Sequence, residues 1–452
     1  MDLEVTHKLA ISAADSKPLT DRRYLVPLAL VTSLFFLWAL GVNLNDILIP
    51  HLKKAFRLTD FQSSLIQSAF FGGYFLAALP AGWLMERIGY RKGILVGLLT
   101  CATGAFLFIP AASVRSYGFF LFALFVMACG QGVLEVAANP YVTILGPPES
   151  SERRLNLAQS FNAVGAVVTP IIGRAFILSG IEYSATQIST MTPQESVAYS
   201  ALEASRVKMP YLGIAALFLL VAALVYIAHL PEIREDNTDT SPAVDKTPVR
   251  HWDVLKYKHL VQGVVAQFFY VGAQVGVTSF VIRFTQHALP NTPEKVAANF
   301  LKWHLIGFMI GRFAGSATMK RVAPPTLLAI FAVSCFICTC TAITGTGTAA
   351  VSAVVLLGFF DSIMFPTIFA LGVKNLGPYT KLGSALLVMS IIGGAIIPAV
   401  MGYISDVSSI QKAFIVPLFC YAYVFYFAIR GCKPRIAPAP TLETRKHSAA
   451  NR

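Results

Sequence analysis

Charged residues are scarce in this chain of 452 residues. Asp, Glu, Lys and Arg together make up 13% of the sequence, whereas 55% of it is hydrophobic. Soluble domains carry about 25% charged residues, so the composition excludes a cytosolic protein and predicts an integral membrane protein. The formal net charge of +13 is then explained by basic loops at a membrane surface, and we expect no nucleic acid as a partner.

The sequence also lacks the motifs of several other protein classes. It contains no G-x-x-x-x-G-K-[ST] phosphate loop, no H-E-x-x-H helix and no nucleophile elbow. Six of the seven cysteines lie in apolar runs, so we expect neither a disulfide framework nor a metal site, even at the Cys335-x-x-Cys338 spacing. We therefore expect neither an enzyme with catalytic residues nor an ATP-driven pump.

Long hydrophobic runs, by contrast, recur along the whole chain. A helix needs ~20 apolar residues to cross a hydrocarbon core of ~30 Å. The first 23 residues are polar, and the run that follows is too long for a signal peptide, so we expect it to be retained. The sequence predicts an all-α integral membrane fold with twelve transmembrane helices, at 24–50, 61–85, 94–112, 117–145, 156–180, 209–230, 259–284, 298–318, 326–346, 349–372, 383–403 and 413–430.

One polar stretch divides these helices six and six. Residues 231–258 read PEIREDNTDTSPAVDKTPVRHWDVLKYK, a composition typical of a solvated linker. The predicted organisation is a tail, a six-helix lobe, a linker, a second six-helix lobe and a tail, at 1–23, 24–230, 231–258, 259–430 and 431–452. Two-lobed secondary transporters have this arrangement, and their substrate lies near the middle of the membrane between the lobes.

The distribution of Lys and Arg predicts the orientation. If the N-terminus is inside, the inside segments carry 24 of these residues and the outside loops carry 8. Because basic residues concentrate on the cytoplasmic side, we expect a multi-pass protein with both termini in the cytoplasm.

The loop after the second span carries a dense group of charges. It reads GWLMERIGYRKG, from Gly82 to Gly93, and resembles the signature of the major facilitators. Gly82 would allow a close helix contact, and a charge latch at the cytoplasmic helix ends would use Glu86, Arg87, Arg91 and Lys92. A partial echo, GRFAGSATMKR, brings Arg312 into the same predicted latch. The alternative is an ordinary solvated basic loop.

Three carboxyl groups lie inside predicted spans, where ionisable groups are rare and are functional candidates. Asp46 shares a helix face with Asn43, and Glu135 lies in a polar stripe of the fourth span. A partly dry cavity penalises an ionised carboxylate, so we expect Asp46 and Glu135 to bind and release a proton. Asp361 lies in the middle of the tenth span and would face the cavity from the second lobe.

Amide side chains recur on the faces of several spans. Gln159 and Asn162 share one face, and Gln267, Tyr270 and Gln274 form a stripe on the seventh span. Amides offer hydrogen-bond donors and acceptors together, and aromatic rings can stack on a sugar. Each amide alone is more often a helix contact, but their recurrence favours a polar, uncharged substrate.

Six stretches resemble the bacterial fucose–galactose–glucose:proton symporters of the major facilitator superfamily. They read SLFFLWALGVNLNDILIP, LEVAANPYVTILG, RLNLAQSFNAVGA, AQFFYVGAQ, PTIFALGVKNLG and MSIIGGAIIPAVMGYISD. The resemblance implies a sugar importer of the bacterial inner membrane, driven by proton entry. It also implies two essential carboxyl groups at Asp46 and Glu135, with Asn43, Gln159 and Asn162 lining one wall of the cavity.

The expected partners are accordingly a sugar, protons and membrane lipid. The proton is the coupling ion, no other cofactor is expected, and we expect a monomer. The substrate predicted from the resemblance is L-fucose or a closely related sugar; galactose, glucose or an amino sugar is the alternative.

The chain departs from the family pattern in the second lobe. Met364 and Phe365 stand where the family has a Gln-Tyr pair, Asp361 replaces an apolar residue, and Lys302 and His304 replace hydroxyl residues. Hydroxyl-directed contacts discriminate between sugars, so the second lobe bears on which sugar is bound. Lys302 and His304 are expected at the membrane interface.

Four other functions remain open. An uncoupled sugar facilitator would tolerate neutral residues in place of both acids. A sugar sensor would need a signalling domain, which the short tails do not offer, and a hydrolytic enzyme would form product from labelled sugar. A drug:proton antiporter would favour an aromatic and acidic cavity over one rich in amides.

Overall fold

The computed structural model describes most of the chain outside its ends and two internal segments. The described residues are 19–56, 60–176, 207–228 and 251–434, together with positions 192, 194, 195, 205, 230 and 231. Within helices, the side chains of 44–55, 60–64, 67, 170–176, 251–252 and 294–295 lie outside this description.

Fourteen α-helices occupy the described ranges. They are α1 (Leu25–Phe56), α2 (Asp60–Val114), α3 (Tyr117–Ile144), α4 (Ser151–Phe176), α5 (Lys208–Ile227), α6 (Lys258–Ala288), α7 (Glu294–Thr318), α8 (Pro324–Thr344), α9 (Gly347–Asp361), α10 (Met364–Val373), α11 (Thr380–Met389), α12 (Gly393–Val407), α13 (Ile410–Ala413) and α14 (Ile415–Tyr426).

These helices make the twelve passes that the hydrophobic runs predict. Helix α2 contains two passes, and the pairs α9–α10, α11–α12 and α13–α14 make one pass each. The backbone of α2 leaves the helical region at Gly89, where φ is 78°. Side-chain atoms of Met85 lie where a Cβ on Gly93 would be, so the chain folds back at this point. The expected twelve-helix membrane fold is therefore confirmed.

Close helix contacts at small residues hold each half of the molecule together. In the first half, Gly104 of α2 lies against the backbone of Met127 in α3, and Gly165 of α4 lies against Ala39 of α1. In the second half, Gly358 of α9 lies against the backbone of His304 in α7. Small residues let membrane helices approach closely, so each set of six passes forms one lobe.

The two lobes contact each other on the side of the molecule that carries the Gly89 turn. Lys374, after α10, forms an ion pair with Glu152 of α4, with 2.6 Å between Nζ and Oε1. The Asn156 side chain donates to the Thr367 hydroxyl across the same boundary at 3.0 Å. We call this contact region, formed by α4 with α7 and α10 and by α2 with α11, the lobe seam.

The predicted tail and linker are described only in part. Residues 232–250 of the predicted linker lie outside the described residues, and His251–Lys256 form a 3-10 helix. Arg154 is fully buried and donates hydrogen bonds to the carbonyl oxygens of Leu19 and Val142, at 2.9 and 2.6 Å. Part of the predicted tail is thus bound to the start of α4, while the domain boundaries remain predictions.

Candidate functional site

A cavity of about 420 Å³ lies between the lobes, a volume within the usual range for small-molecule sites. It occupies the half of the molecule away from the lobe seam. Its walls are formed by Trp38, Val42, Asn43, Phe70, Phe71, Tyr74, Glu135, Gln159, Asn162, Ala166, Val271, Gln274, Val275, Thr278, Ser279, Leu301, His304, Leu305, Phe308, Arg312, Phe365 and Ile391.

Two amide side chains line the first-lobe wall. The Asn43 amide nitrogen donates to the Ala39 carbonyl at 2.7 Å, and that of Asn162 donates to the Phe35 carbonyl at 3.2 Å. These bonds fix the orientation of each amide, and neither side-chain oxygen accepts a hydrogen bond from the described residues. The wall therefore presents hydrogen-bond acceptors to a ligand.

A polar network spans both lobes at the cavity floor. The Gln159 amide nitrogen donates to Asn139 Oδ1 at 3.0 Å. Arg312 Nη1, from the opposite lobe, donates to Gln159 Oε1 at 3.1 Å and to the Gln159 backbone carbonyl at 2.5 Å. Gln159 is thus held by both lobes at once.

Glu135 lies at this floor with 1% of its surface exposed. Its Oε2 has no hydrogen-bond partner among the described residues. A buried carboxylate oxygen without a partner is costly, so the position favours a group that takes up a proton or meets a ligand.

Aromatic side chains flank the polar floor. Trp38 Nε1 donates to the Tyr74 hydroxyl at 2.6 Å, and that hydroxyl donates to Gln131 Oε1 at 3.3 Å. Trp38 and Tyr74 also stack, with ring centroids 6.4 Å apart. Their amide and hydroxyl partners fix these rings, and a fixed ring offers an apolar face to a ligand.

The predicted stripe of the seventh pass reaches the cavity only in part. Gln274 lines the cavity, whereas Gln267 and Tyr270 are fully buried outside it. Neither amide atom of Gln267 has a partner in the described part of the chain. The Tyr270 hydroxyl donates to the Asp361 backbone carbonyl at 3.0 Å, because that side of α6 packs against the tenth pass.

Asp361 does not face the cavity, contrary to the expectation. Its carboxylate accepts from the Tyr421 hydroxyl at 3.0 Å and from Cys335 Sγ at 3.6 Å, and it is fully buried inside the second lobe. The face of a helix that a mid-span acid occupies depends on how the helix is rotated in the bundle, which a single sequence does not specify. A direct contact between Asp361 and substrate is therefore not supported by this arrangement.

The predicted latch is divided between two places. A Cβ on Gly82 would lie 2.8 Å from the Ala385 Cβ, and Lys381 lies over the Tyr90 ring at 5.2 Å, so this loop contributes to the lobe seam. Arg91 donates to the Tyr226 carbonyl at 2.9 Å, within its own lobe. Glu86, Arg87 and Lys92 are exposed.

Arg312 was predicted in the same latch, and this placement is wrong. It is 4% exposed and lines the cavity, because its helix α7 packs against α4 of the first lobe. Its cross-lobe bonds to Gln159 lie at the cavity floor and not at the cytoplasmic helix ends. One sequence signal could have indicated the cavity: Arg312 is an arginine inside a predicted span.

His304 was expected at the membrane interface, but it also lines the cavity and is 1% exposed. Lys302 is exposed. Asp46 is in α1, and its side chain lies outside the described residues. The described residues contain no group of three or more His, Cys, Asp or Glu side chains that could hold a metal ion.

Two helical lobes around a central cavity with a polar floor define a membrane carrier. The chain belongs to the Major Facilitator Superfamily, whose family model matches residues 31–390.

Several relatives are similar along nearly their whole length. The L-fucose-proton symporter of Escherichia coli (strain K12) is 43% identical over 420 residues, which are 92% of this chain and 95% of the relative. A glucose/galactose transporter of Brucella abortus is 42% identical over 431 residues, which are 94% and 100% of the two chains. The crystal structure of the major facilitator transporter FucP in the outward conformation matches with a TM-score of 0.84 and 42% identity, over 92% of this chain and all of that one.

Proposed function

We propose that this protein is a proton-coupled sugar symporter of the bacterial inner membrane that works by alternating access. The main support for the proposal is the arrangement of polar groups at the cavity floor. There, amide side chains from the first lobe adjoin a buried carboxyl group whose Oε2 has no partner in the described part of the chain.

The cavity walls suit a sugar. Asn43, Gln159 and Asn162 offer amide groups that can match hydroxyls, each of which is both donor and acceptor. Trp38 and Phe365 add aromatic surface for the apolar face of a ring. We propose L-fucose or a closely related sugar as the substrate. The alternative is galactose, glucose or an amino sugar. A relative named for L-fucose and one named for glucose and galactose are similar to the chain to nearly the same degree.

Glu135 and Asp46 are the proposed proton-coupling groups. A charge at Glu135 is costly in a closed, dry cavity, so protonation lowers the free energy of closing the lobes over a sugar. Release of the proton on the other side then favours reopening. The proton is the only coupling ion that this mechanism requires.

The direction of opening follows from the lobe seam and the charges. The seam lies on the side with the Gly89 turn, which the Lys and Arg distribution assigns to the cytoplasm. The cavity in this conformation therefore belongs to the outward-facing half of the cycle. We propose that both termini are cytoplasmic and that the protein acts as a monomer.

The decisive experiment uses the purified protein in lipid vesicles. L-Fucose, L-galactose, D-arabinose, D-galactose, D-glucose and N-acetylglucosamine are added in turn while the pH inside and outside is recorded. We expect at least one sugar to carry protons inward, and a membrane potential of 100 mV to support about 50-fold accumulation for one proton per sugar. Sugar uptake without proton movement would favour an uncoupled facilitator, and no uptake of any sugar would refute the proposal.

A further inference from the structure

His304 links the second-lobe wall of the cavity to the interior of that lobe. Its Nδ1 lies 3.0 Å from the backbone carbonyl oxygen of Val354, on α9. Its Nε2 lies 3.3 Å from the hydroxyl of Thr278, which lines the cavity, whereas Val354 does not. The Nε2 edge of the ring therefore faces the cavity.

The partner of Nδ1 decides which nitrogen carries the proton. A carbonyl oxygen can only accept a hydrogen bond, so Nδ1 must donate and carry the hydrogen. A second proton would place an unpaired charge in a nearly dry site, and no described carboxylate forms a hydrogen bond or an ion pair with the ring. Nε2 consequently presents a lone pair, which makes it a hydrogen-bond acceptor.

The Thr278 hydroxyl satisfies this acceptor poorly. Hydrogen bonds between nitrogen and oxygen atoms usually span about 2.7–3.2 Å, and the distance here is 3.3 Å. A ligand hydroxyl at a shorter distance would therefore be a better donor to Nε2 than the Thr278 hydroxyl is.

We propose that His304 Nε2 accepts a hydrogen bond from one hydroxyl of the transported sugar and so determines specificity from the second lobe. The proposal rests on the proposed function and extends it. Asn43 and Asn162 line the opposite wall, so the sugar spans the cavity, with the hydroxyl that donates to His304 on its second-lobe edge. A substrate without a donor at that edge is disfavoured, because the acceptor is then left without a good partner.

The test compares variants on a set of analogues of whichever sugar the unaltered chain transports, each lacking one hydroxyl. His304→Phe keeps a flat ring and removes the acceptor. We expect it to weaken binding of the parent sugar roughly 10-fold. One analogue lacks the hydroxyl that His304 contacts, and the variant should bind this analogue with the same affinity as the unaltered chain does. His304→Gln, which can present an amide oxygen, should recover most of the affinity.

A second variant keeps the test decisive if His304→Phe does not fold. Thr278→Val removes the competing hydroxyl, so sugar should bind at least as tightly as to the unaltered chain. Weaker binding would assign the contact to Thr278 and overturn the proposal. Equal losses for every analogue in His304→Phe, or no loss at all, would overturn it too. Absence of transport by the unaltered chain would instead contradict the proposed function.

Discussion

At the residue scale, Glu135 combines deep burial with a carboxylate oxygen, Oε2, that has no hydrogen-bond partner within the described ranges. We expect Glu135→Gln to abolish proton-driven accumulation, because the amide cannot release a proton, while exchange of labelled for unlabelled sugar persists. Sugar counterflow in vesicles measures both. Asp406→Asn, which changes an exposed carboxylate of α12, is the matched control and should leave accumulation unchanged. Accumulation that survives Glu135→Gln would remove this group from the coupling mechanism.

Gln267 is the clearest case of unsatisfied polarity in the described residues. Both amide atoms are buried without partners, and replacing such a group by an apolar one is often neutral or stabilising. We expect Gln267→Leu to increase the free energy of unfolding by about 1 kcal/mol, which would appear as a higher melting temperature in detergent. Gln274→Leu is the matched comparison, since Gln274 faces the cavity; it should weaken sugar binding without raising the melting temperature. A lower melting temperature for Gln267→Leu would contradict this expectation and show that the Gln267 amide stabilises the fold.

At the element scale, the approach of α2 to α11 gives a direct handle on lobe movement. The ideal Cβ of Gly82 lies 2.8 Å from that of Ala385, and disulfides form at Cβ separations of about 3.5–4.5 Å. In a background without the seven native cysteines, we expect Gly82→Cys combined with Ala385→Cys to crosslink after a small backbone shift. Transport should stop on oxidation and return with a reductant.

The two single cysteine variants are the controls for this crosslink, and they should transport sugar under both conditions. Full transport by the oxidised double variant, with the crosslink verified by mass, would mean that α2 and α11 do not separate during the cycle.

The membrane-spanning helices can be located from the sequence because the membrane constrains their length and composition. A span must be about 20 residues long and apolar, so hydrophobic runs locate all twelve passes, and glycines indicate the close helix contacts. By contrast, hydrophobic runs do not specify how deep a side chain lies in the membrane or how its helix is rotated in the bundle. Gln267 and Gln274 are the same residue type on the same helix face, yet only Gln274 reaches the cavity, and Gln267 is fully buried outside it.

The acidic and basic residues within the spans show the same limit: the sequence reveals their presence in a helix but not which neighbours surround them. Glu135 and Asp361 both stand in apolar helices, and neighbouring helices place one at the cavity and the other against Tyr421. His304 is predicted at the interface because it lies near the beginning of an apolar run, and Arg312 is predicted in the latch because of the GRFAGSATMKR echo. Only the packing of α7 against α4 and α9 places them at the cavity.

At the scale of the whole molecule, the proposed topology can be tested through the C-terminal tail. Arg445 and Lys446 follow the last pass and offer trypsin a cleavage site. We expect trypsin to shorten the chain from its C-terminus in inside-out vesicles and to leave this end intact in right-side-out cells, as detected with a C-terminal tag. Cleavage in intact cells would reverse the orientation and, with it, the direction in which the cavity opens.

The double attachment of Gln159 has a consequence for the energetics of the cycle. Arg312 of the second lobe donates a hydrogen bond to the Gln159 side chain, and Gln159 is also a proposed ligand of the sugar. A sugar that binds Gln159 therefore competes with the hydrogen bond that joins Gln159 to Arg312 of the other lobe. Sugar binding at Gln159 would then weaken one of the hydrogen bonds that hold the lobes together on the cytoplasmic side, so we expect binding and opening of that side to be coupled.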